Sequence, residues 1–203
     1  MFIAIEGIDG TGKSTQAKRL AEYLEAKGKK VILTKEPGGW EGGEKLRELV
    51  LGGKLQHPWS EAYLFMLDRA EHVKRVILPA LKEKTTVICE RYHASTLAYQ
   101  VWGRGLPQAP FDMLFQLSEF PLPDITILLD LDPEKSLARV RGRGAMDAFE
   151  KEGLEFMKKI RRGYLEQLKN NNERWVSISA ADTLNVVFEN IVRQIETMEF
   201  DNV

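Results

Sequence analysis

The sequence predicts an α/β protein, a five-stranded parallel sheet flanked by helices with a short mobile lid, and three observations predict it. Short apolar runs of strand length alternate with longer segments of helical period, as happens when helices cover both faces of a sheet. The glycine-rich segment Gly7-Ile8-Asp9-Gly10-Thr11-Gly12-Lys13-Ser14 separates the first strand from the first helix. The lid is expected at residues 139–153, where glycines break up a basic cluster.

The strands are read at Phe2 to Glu6, Lys30 to Thr34, Thr86 to Glu90, Ile125 to Asp130 and Trp175 to Ser179. After the first, Ala17, Leu20, Ala21 and Leu24 recur at helical spacing, and Gly28 supplies a left-handed stop. A longer helix from about Ser60 to Lys84 carries Ala62, Met66, Val73, Val76 and Ala80 on one stripe, with Pro79 kinking it or lying near its end. Asp132-Pro133-Glu134 starts a helix, with Asp as N-cap and Pro at the first helical position. Two more helices follow, around Leu154 to Leu168 and Leu184 to Met198. The remaining loop-rich sections, Glu36 to Gly43, Val101 to Pro110 and Gly142 to Gly153, are where ligand-driven closure is expected.

Composition narrows the function classes. The 203 residues are 43% hydrophobic, enough for one globular unit, and 29 basic against 30 acidic residues leave a net charge of −1. No global basic field exists to hold a nucleic acid, so any phosphate must be bound by local clusters. The N-terminus runs from Met1 straight into an apolar strand, and no apolar stretch is long enough to cross a bilayer, so a cytoplasmic protein without membrane partners is expected. The single cysteine, Cys89, reads as a reduced, packed thiol.

The Gly7 to Ser14 segment has the context needed to surround a phosphate chain with backbone N–H groups at a helix N-terminus. Gly7, Gly10 and Gly12 let the main chain approach the anion, Lys13 supplies a charge for the β- and γ-phosphates, and the Ser14 hydroxyl suits Mg²⁺. ATP–Mg²⁺ is therefore the expected donor.

An acceptor side is marked by three cationic features. Glu90-Arg91-Tyr92 ends the third strand at the ligand edge of the sheet, where Arg91 could clamp a second phosphate. Arg69 falls within an apolar helical stripe, so it needs either an anionic ligand or a structural partner, with Asp68 and Glu71 the near ones. Arg139, Arg141 and Arg143 form the lid cluster. Cations on several sides of a transferring phosphoryl group are what kinase chemistry demands.

Taken with Lys35-Glu36-Pro37-Gly38-Gly39, Leu64 to Ala70, Ser95-Thr96-Leu97-Ala98-Tyr99-Gln100 and Gly103-Arg104-Gly105, these motifs resemble the thymidylate kinase family over nearly the whole length. The resemblance implies a P-loop kinase fold, one nucleoside-monophosphate kinase domain over residues 1–203, and transfer of the ATP γ-phosphoryl group to dTMP. It implies ATP contacts from Gly7 to Thr15, including Ile8, Thr11 and Thr15, and from Arg141. For dTMP it implies Asp9 on the sugar 3′-hydroxyl, Glu36 and Pro37 in the acceptor loop, Phe65 stacked on thymine and Arg69 at the base carbonyl. Arg91 would bind the acceptor phosphate, Ser95, Thr96 and Gln100 line the base pocket, and Tyr99 disfavour a 2′-hydroxyl. Without the resemblance, Phe65 and Tyr99 read as core aromatics. Lys13, Arg91 and Arg143 are the catalytic set, since Gly10 and Thr11 leave the loop without an arginine and the lid must supply one. Ser14 and Glu90 are the metal residues, and a homodimer is implied.

Three positions depart from the family pattern: Glu90 in place of Asp, Lys35 in place of Arg, and Val101-Trp102 in place of small residues, with Trp102 expected to add bulk near the pocket mouth. A deoxynucleoside kinase is the nearest alternative, because Glu90 could deprotonate a 5′-hydroxyl. A non-catalytic nucleotide-dependent switch is the other, although no Asn-Lys-x-Asp guanine-reading pattern occurs.

Overall fold

The computed structural model describes residues 1–142, 144, 146–171 and 174–200. Five parallel strands, β1 (Phe2–Glu6), β2 (Val31–Lys35), β3 (Thr86–Glu90), β4 (Ile125–Asp130) and β5 (Trp175–Ser179), lie in the order β2-β3-β1-β4-β5. Four of the five strand ranges match the sequence reading, and β2 is shifted by one residue. β1 is central because it is apolar on both faces. Ile3 and Ile5 pack with helices α1 (Lys13–Ala26) and α9 (Leu184–Phe200), while Phe2 and Ala4 join the cluster built on the other face.

The expected Ser60 to Lys84 helix is α3 (Pro58–His72), then a π-helical stretch Val73–Ile77, then α4 (Leu78–Lys82) with Pro79 in its first turn. A residue without an N–H breaks the regular ladder, and the wider turn just before it takes up the mismatch. Helices α2 (Gly43–Leu51), α5 (His93–Thr96) and α6 (Ala109–Leu117) occupy segments where the sequence suggested loops or gave no element. In α6 Phe111 is buried and Phe115 packs against the cluster on β1 and β3, but Met113 and Leu117 are 62% and 74% exposed, so the core-facing stripe is only two residues long.

The Asp132 N-cap of α7 (Pro133–Arg141) forms as expected, its carboxylate accepting from Glu134 N–H at 2.9 Å. The helix continues through Arg141, so Arg139 and Arg141 are helical. A turn of 3₁₀ helix (Glu150–Glu152) leads into α8 (Leu154–Asn170).

A second π-helical stretch, Leu97–Gly103, carries Tyr99 and Gln100 and lies along α8. Trp102 is not at the pocket mouth. Its indole fills the notch at Gly163 of α8, where an added Cβ would come within 2.6 Å of the ring, and the Arg162 guanidinium covers it at 5.4 Å. Gly163→Val should therefore cost about 1–3 kcal/mol by overpacking. The midpoint of urea unfolding checks this, and a Trp102→Ala background should remove most of the cost.

Candidate active site

The glycine-rich loop is shaped by close approach to its neighbours. Gly7, at φ +140°, passes so near β4 that a Cβ would lie 2.5 Å from the Leu129 carbonyl oxygen. Gly10, at φ +81°, passes close to α7, where a Cβ would lie 2.8 Å from the Ser136 carbonyl oxygen, while the Ser136 hydroxyl bonds the Asp9 carbonyl. The loop is thus pinned between β4 and α7 before α1 begins. Lys13 is buried and folds its Nζ back onto the Ile8 carbonyl at 2.9 Å, and Thr11 Oγ1 donates to the same oxygen at 2.9 Å. Arg139 reaches across from α7 to the carbonyls of Gly10, at 3.3 Å, and Ala180, at 3.0 Å.

Beside this loop opens a cavity of about 280 Å³. Its lining unites twelve residues singled out from sequence: Asp9, Ser14, Glu36, Pro37, Phe65, Arg69, Glu90, Arg91, Ser95, Thr96, Tyr99 and Gln100. Thr15 and Arg141 do not border it, and Arg141 is exposed at the end of α7. Arg143 lies outside the described residues.

Asp9 is the electrostatic link between loop and cavity. Its carboxylate accepts from Arg91 Nη2 at 2.5 Å and from the Tyr99 hydroxyl at 2.9 Å. Arg91 takes a left-handed backbone, φ +65°, just past β3, and its guanidinium also donates to the Gly7 carbonyl at 3.0 Å and lies 4.9 Å from the Tyr99 ring centre. Burial alone would raise the Asp9 pKa, but the charges of Arg91 and Lys13 and the Tyr99 bond outweigh it and hold the carboxyl at about 2. Burial, followed by repulsion from Arg91, brings the Lys13 ammonium down to about 8.

Beneath this pair lies Glu6, fully buried at the end of β1. It accepts from Tyr92 N–H at 2.7 Å, from the Ser95 hydroxyl at 2.6 Å and from the Tyr164 hydroxyl at 2.9 Å. Burial raises its pKa despite these donors. Ser95 is therefore occupied by the protein's own carboxylate as well as bordering the cavity. Neither Glu6 nor Tyr164 was singled out from sequence. Glu6 looks like the last residue of a strand, and Tyr164 sits with Phe156, Met157 and Ile160 on the apolar stripe of α8, its hydroxyl the only signal.

The far wall carries a second ion pair, this one fully buried. Arg69, 1% exposed, sends Nε and Nη2 to Glu36 Oε2 at 2.8 and 2.7 Å, and Nη1 to the Thr96 hydroxyl at 2.8 Å. Its partner is thus Glu36, 33 residues away in sequence, and neither Asp68 nor Glu71. Asp68 instead holds the acceptor loop, accepting from Gly38 N–H at 2.9 Å and the Trp40 indole at 2.8 Å. Arg47 of α2, also missed, borders the cavity and donates to the Pro37 carbonyl at 2.9 Å. Asp147, Phe149 and Glu150 from the lid segment close one side. Phe149 lies 6.0 Å from the Phe65 ring and 5.6 Å from the Tyr99 ring, and Arg104 latches the segment by pairing with both Glu61 and Glu152.

One end of the cavity is thus cationic and faces the phosphate loop, and the other is aromatic and amide-lined, with a guanidinium at its edge. That arrangement suits a flat, polar-edged group bearing an anion. Oxygen donors from Ser14 and Glu90 border both this cavity and the adjoining one, a donor set suited to a hard divalent cation.

Comparison with known proteins agrees with this geometry. A family model described as thymidylate kinase matches residues 5–191. A probable thymidylate kinase of Pyrococcus abyssi is 46% identical over 96% of this chain and 95% of its own length. The thymidylate kinase of Acinetobacter baylyi is 38% identical over 98% of this chain and all of its own. A crystal structure of thymidylate kinase from Ehrlichia chaffeensis superposes with a TM-score of 0.81 at 33% identity, covering 97% of this chain and 98% of that one.

Glu36→Ala should be strongly destabilising, because it strands a buried guanidinium without its anion, at about 3–5 kcal/mol. Chemical denaturation of the variant against wild type measures the loss.

Proposed function

The chain belongs to the thymidylate kinase family of ATP-dependent phosphotransferases, and from that premise we propose how its residues divide the work of phosphorylating dTMP to dTDP. The observation that carries the reading is the Asp9–Arg91 pair, which sets the acceptor cation against the donor loop. The ATP phosphates occupy the Gly7 to Thr15 loop, drawing the Lys13 ammonium off the Ile8 carbonyl and onto the anion. Arg91, with Arg47 at the same cavity, holds the dTMP phosphate. Phe65 stacks on the thymine face, while Arg69, Thr96 and Gln100 meet its polar edge.

Tyr99, anchored by its hydroxyl on Asp9, stands where deoxyribose would pack and leaves little room for a 2′-hydroxyl. Asp9 keeps lone pairs beyond those used by Arg91 and Tyr99, so it can accept the sugar 3′-hydroxyl. The acceptor phosphate is already ionised near neutral pH, so positioning and charge neutralisation dominate over base catalysis. Mg²⁺ held by Ser14 and Glu90 would neutralise phosphate charge when bound. Arg143, with Arg141 as its neighbour on the lid, supplies the assisting cation that Gly10 and Thr11 cannot.

The whole of residues 1–203 acts as one nucleoside-monophosphate kinase domain with its lid at 139–153. A cytoplasmic setting fits the single cysteine, buried as a free thiol, and no helix among the described residues is long and apolar enough to cross a membrane. A homodimer is supported by exposed apolar side chains on two neighbouring helices, Tyr63 and Leu67 on α3 and Met113, Leu114 and Leu117 on α6. Trp59 joins these helices, stacking on both Tyr63 and Phe111.

The decisive assay offers ATP–Mg²⁺ with thymidine, dTMP and the uridine and deoxycytidine monophosphates, with and without the 2′-hydroxyl. ADP formation should be fastest with dTMP. Preference for thymidine would move the assignment to a deoxynucleoside kinase, and no acceptor-dependent ADP formation to a nucleotide switch. A pH effect follows from Lys13, which is charged below about pH 8 and neutral above it in the free enzyme. Bound phosphate raises its pKa, so nucleotide binding should take up about half a proton at pH 8 and almost none two units lower. Calorimetric titration in buffers of different ionisation enthalpy reads that uptake.

A further inference from the structure

We infer that His72, which does not line the cavity beside the glycine-rich loop, is a positioning residue that sets the acceptor preference of the site by fixing Glu36 and, through it, Arg69. The inference rests on the dTMP reading above and adds a residue outside the ligand's reach.

His72 closes α3 and is fully buried. Its ring spans two partners, with Nδ1 3.0 Å from Glu36 Oε1 and Nε2 2.7 Å from Thr34 Oγ1. The roles follow from what each group can do. The Glu36 carboxylate, already accepting two guanidinium N–H bonds on Oε2, has only lone pairs to offer on Oε1, so His72 Nδ1 carries the proton and donates. Nε2 faces the Thr34 hydroxyl, which also lies 3.3 Å from the Gly39 carbonyl. The chain Thr34–His72–Glu36–Arg69 is therefore continuous from β2 to the cavity wall.

Its consequence lies in how Arg69 shares out its five N–H groups. Nε and one Nη2 hydrogen go to Glu36 Oε2, while Nη1 serves Thr96 and, at 3.8 Å, the Met66 sulfur. One N–H on Nη2 remains. A single spare hydrogen can be donated to a ring carbonyl but finds no acceptor on an amino group, which separates 4-oxo from 4-amino pyrimidines. The aim of that hydrogen depends on His72, which holds Glu36 Oε1 and so fixes the carboxylate on which Arg69 rests. Without His72, a buried, unpartnered carboxylate oxygen would turn to the nearest donor, and the guanidinium would turn with it, still giving two N–H groups to Glu36 but pointing the third away from the ligand.

Cys89 completes the surroundings. Its Sγ lies with the Glu36 and His72 ligand atoms, all within 4.8 Å of one another, a grouping that elsewhere could hold a metal ion. Here burial and the neighbouring carboxylates keep the thiol protonated, and the Arg69 charge already balances Glu36. The cluster is a hydrogen-bond relay.

Steady-state kinetics with dTMP and dCMP test the inference on wild type, His72→Leu, which keeps bulk and removes both nitrogens, and His72→Asn, which restores a donor toward Glu36. His72→Leu should raise the KM for dTMP about tenfold, leave kcat at saturation within about twofold, and cut the preference for dTMP over dCMP. His72→Asn should recover most of that preference. An unchanged KM and preference in His72→Leu, or a loss confined to kcat and equal for both acceptors, would overturn it. So would stoichiometric zinc in the purified wild type that Cys89→Ser abolishes. If His72→Leu fails to fold, Thr34→Val decides instead, since it frees the ring at Nε2: a raised KM at constant kcat supports the relay and unchanged constants sink it. Wild type that does not phosphorylate dTMP would overturn the acceptor reading itself, whatever the variants do.

Discussion

The architecture depends on keeping cations desolvated beside a site that must receive further anions. The Asp9–Arg91 pair does this where the glycine-rich loop meets the end of β3. Buried ion pairs seldom add net stability, since desolvation consumes most of the Coulomb gain. What the pair supplies is geometry. It fixes the Arg91 guanidinium against the glycine-rich loop and is completed by a tyrosine hydroxyl from the π-helical stretch. Three separate segments therefore meet at one carboxylate.

Two further carboxylates repeat the device away from the reacting groups. Glu6 gathers Tyr92 N–H, Ser95 and Tyr164, so the end of β1, the start of α5 and the middle of α8 share one acceptor. Glu36 gathers Arg69 and His72, joining the acceptor loop to the end of α3. In each case a buried acceptor is nearly saturated by donors from distant segments, which is costly to disturb and so holds the cavity to one shape. The segment from Asp147 to Glu152 is attached differently, through aromatic contacts of Phe149 and the partly exposed pairs of Arg104. Contacts of that kind are worth less than the buried networks.

Much of this was legible in the chain. The strands were readable because buried parallel strands are short unbroken apolar runs, and the Asp132 cap because its chemistry is local. The phosphate loop was readable because glycine spacing and a following lysine act within eight residues of one another. The site was less so. Twelve singled-out residues do converge on one cavity, yet the partner of Arg69 was sought among near neighbours and lies across the fold at Glu36. Trp102 was placed at the mouth and belongs to the α8 interface, because which face a residue takes in a π-helical stretch cannot be read from a 3.6-residue period. In helix α6 Met113, Leu114 and Leu117 are exposed and only Phe111 and Phe115 face inward, too few to show a helical period.

The sequence by itself determined the sheet, the phosphate loop and the identity of the charged groups at the strand ends, because each of those is written in local pattern or local chemistry. Only the tertiary structure decided which carboxylate neutralises which arginine, and thereby which N–H groups are left for a ligand. The reason is physical: the worth of a buried charge depends on what lies within a few ångströms in space, and at Asp9, Glu6 and Glu36 those neighbours are dozens of residues away along the chain.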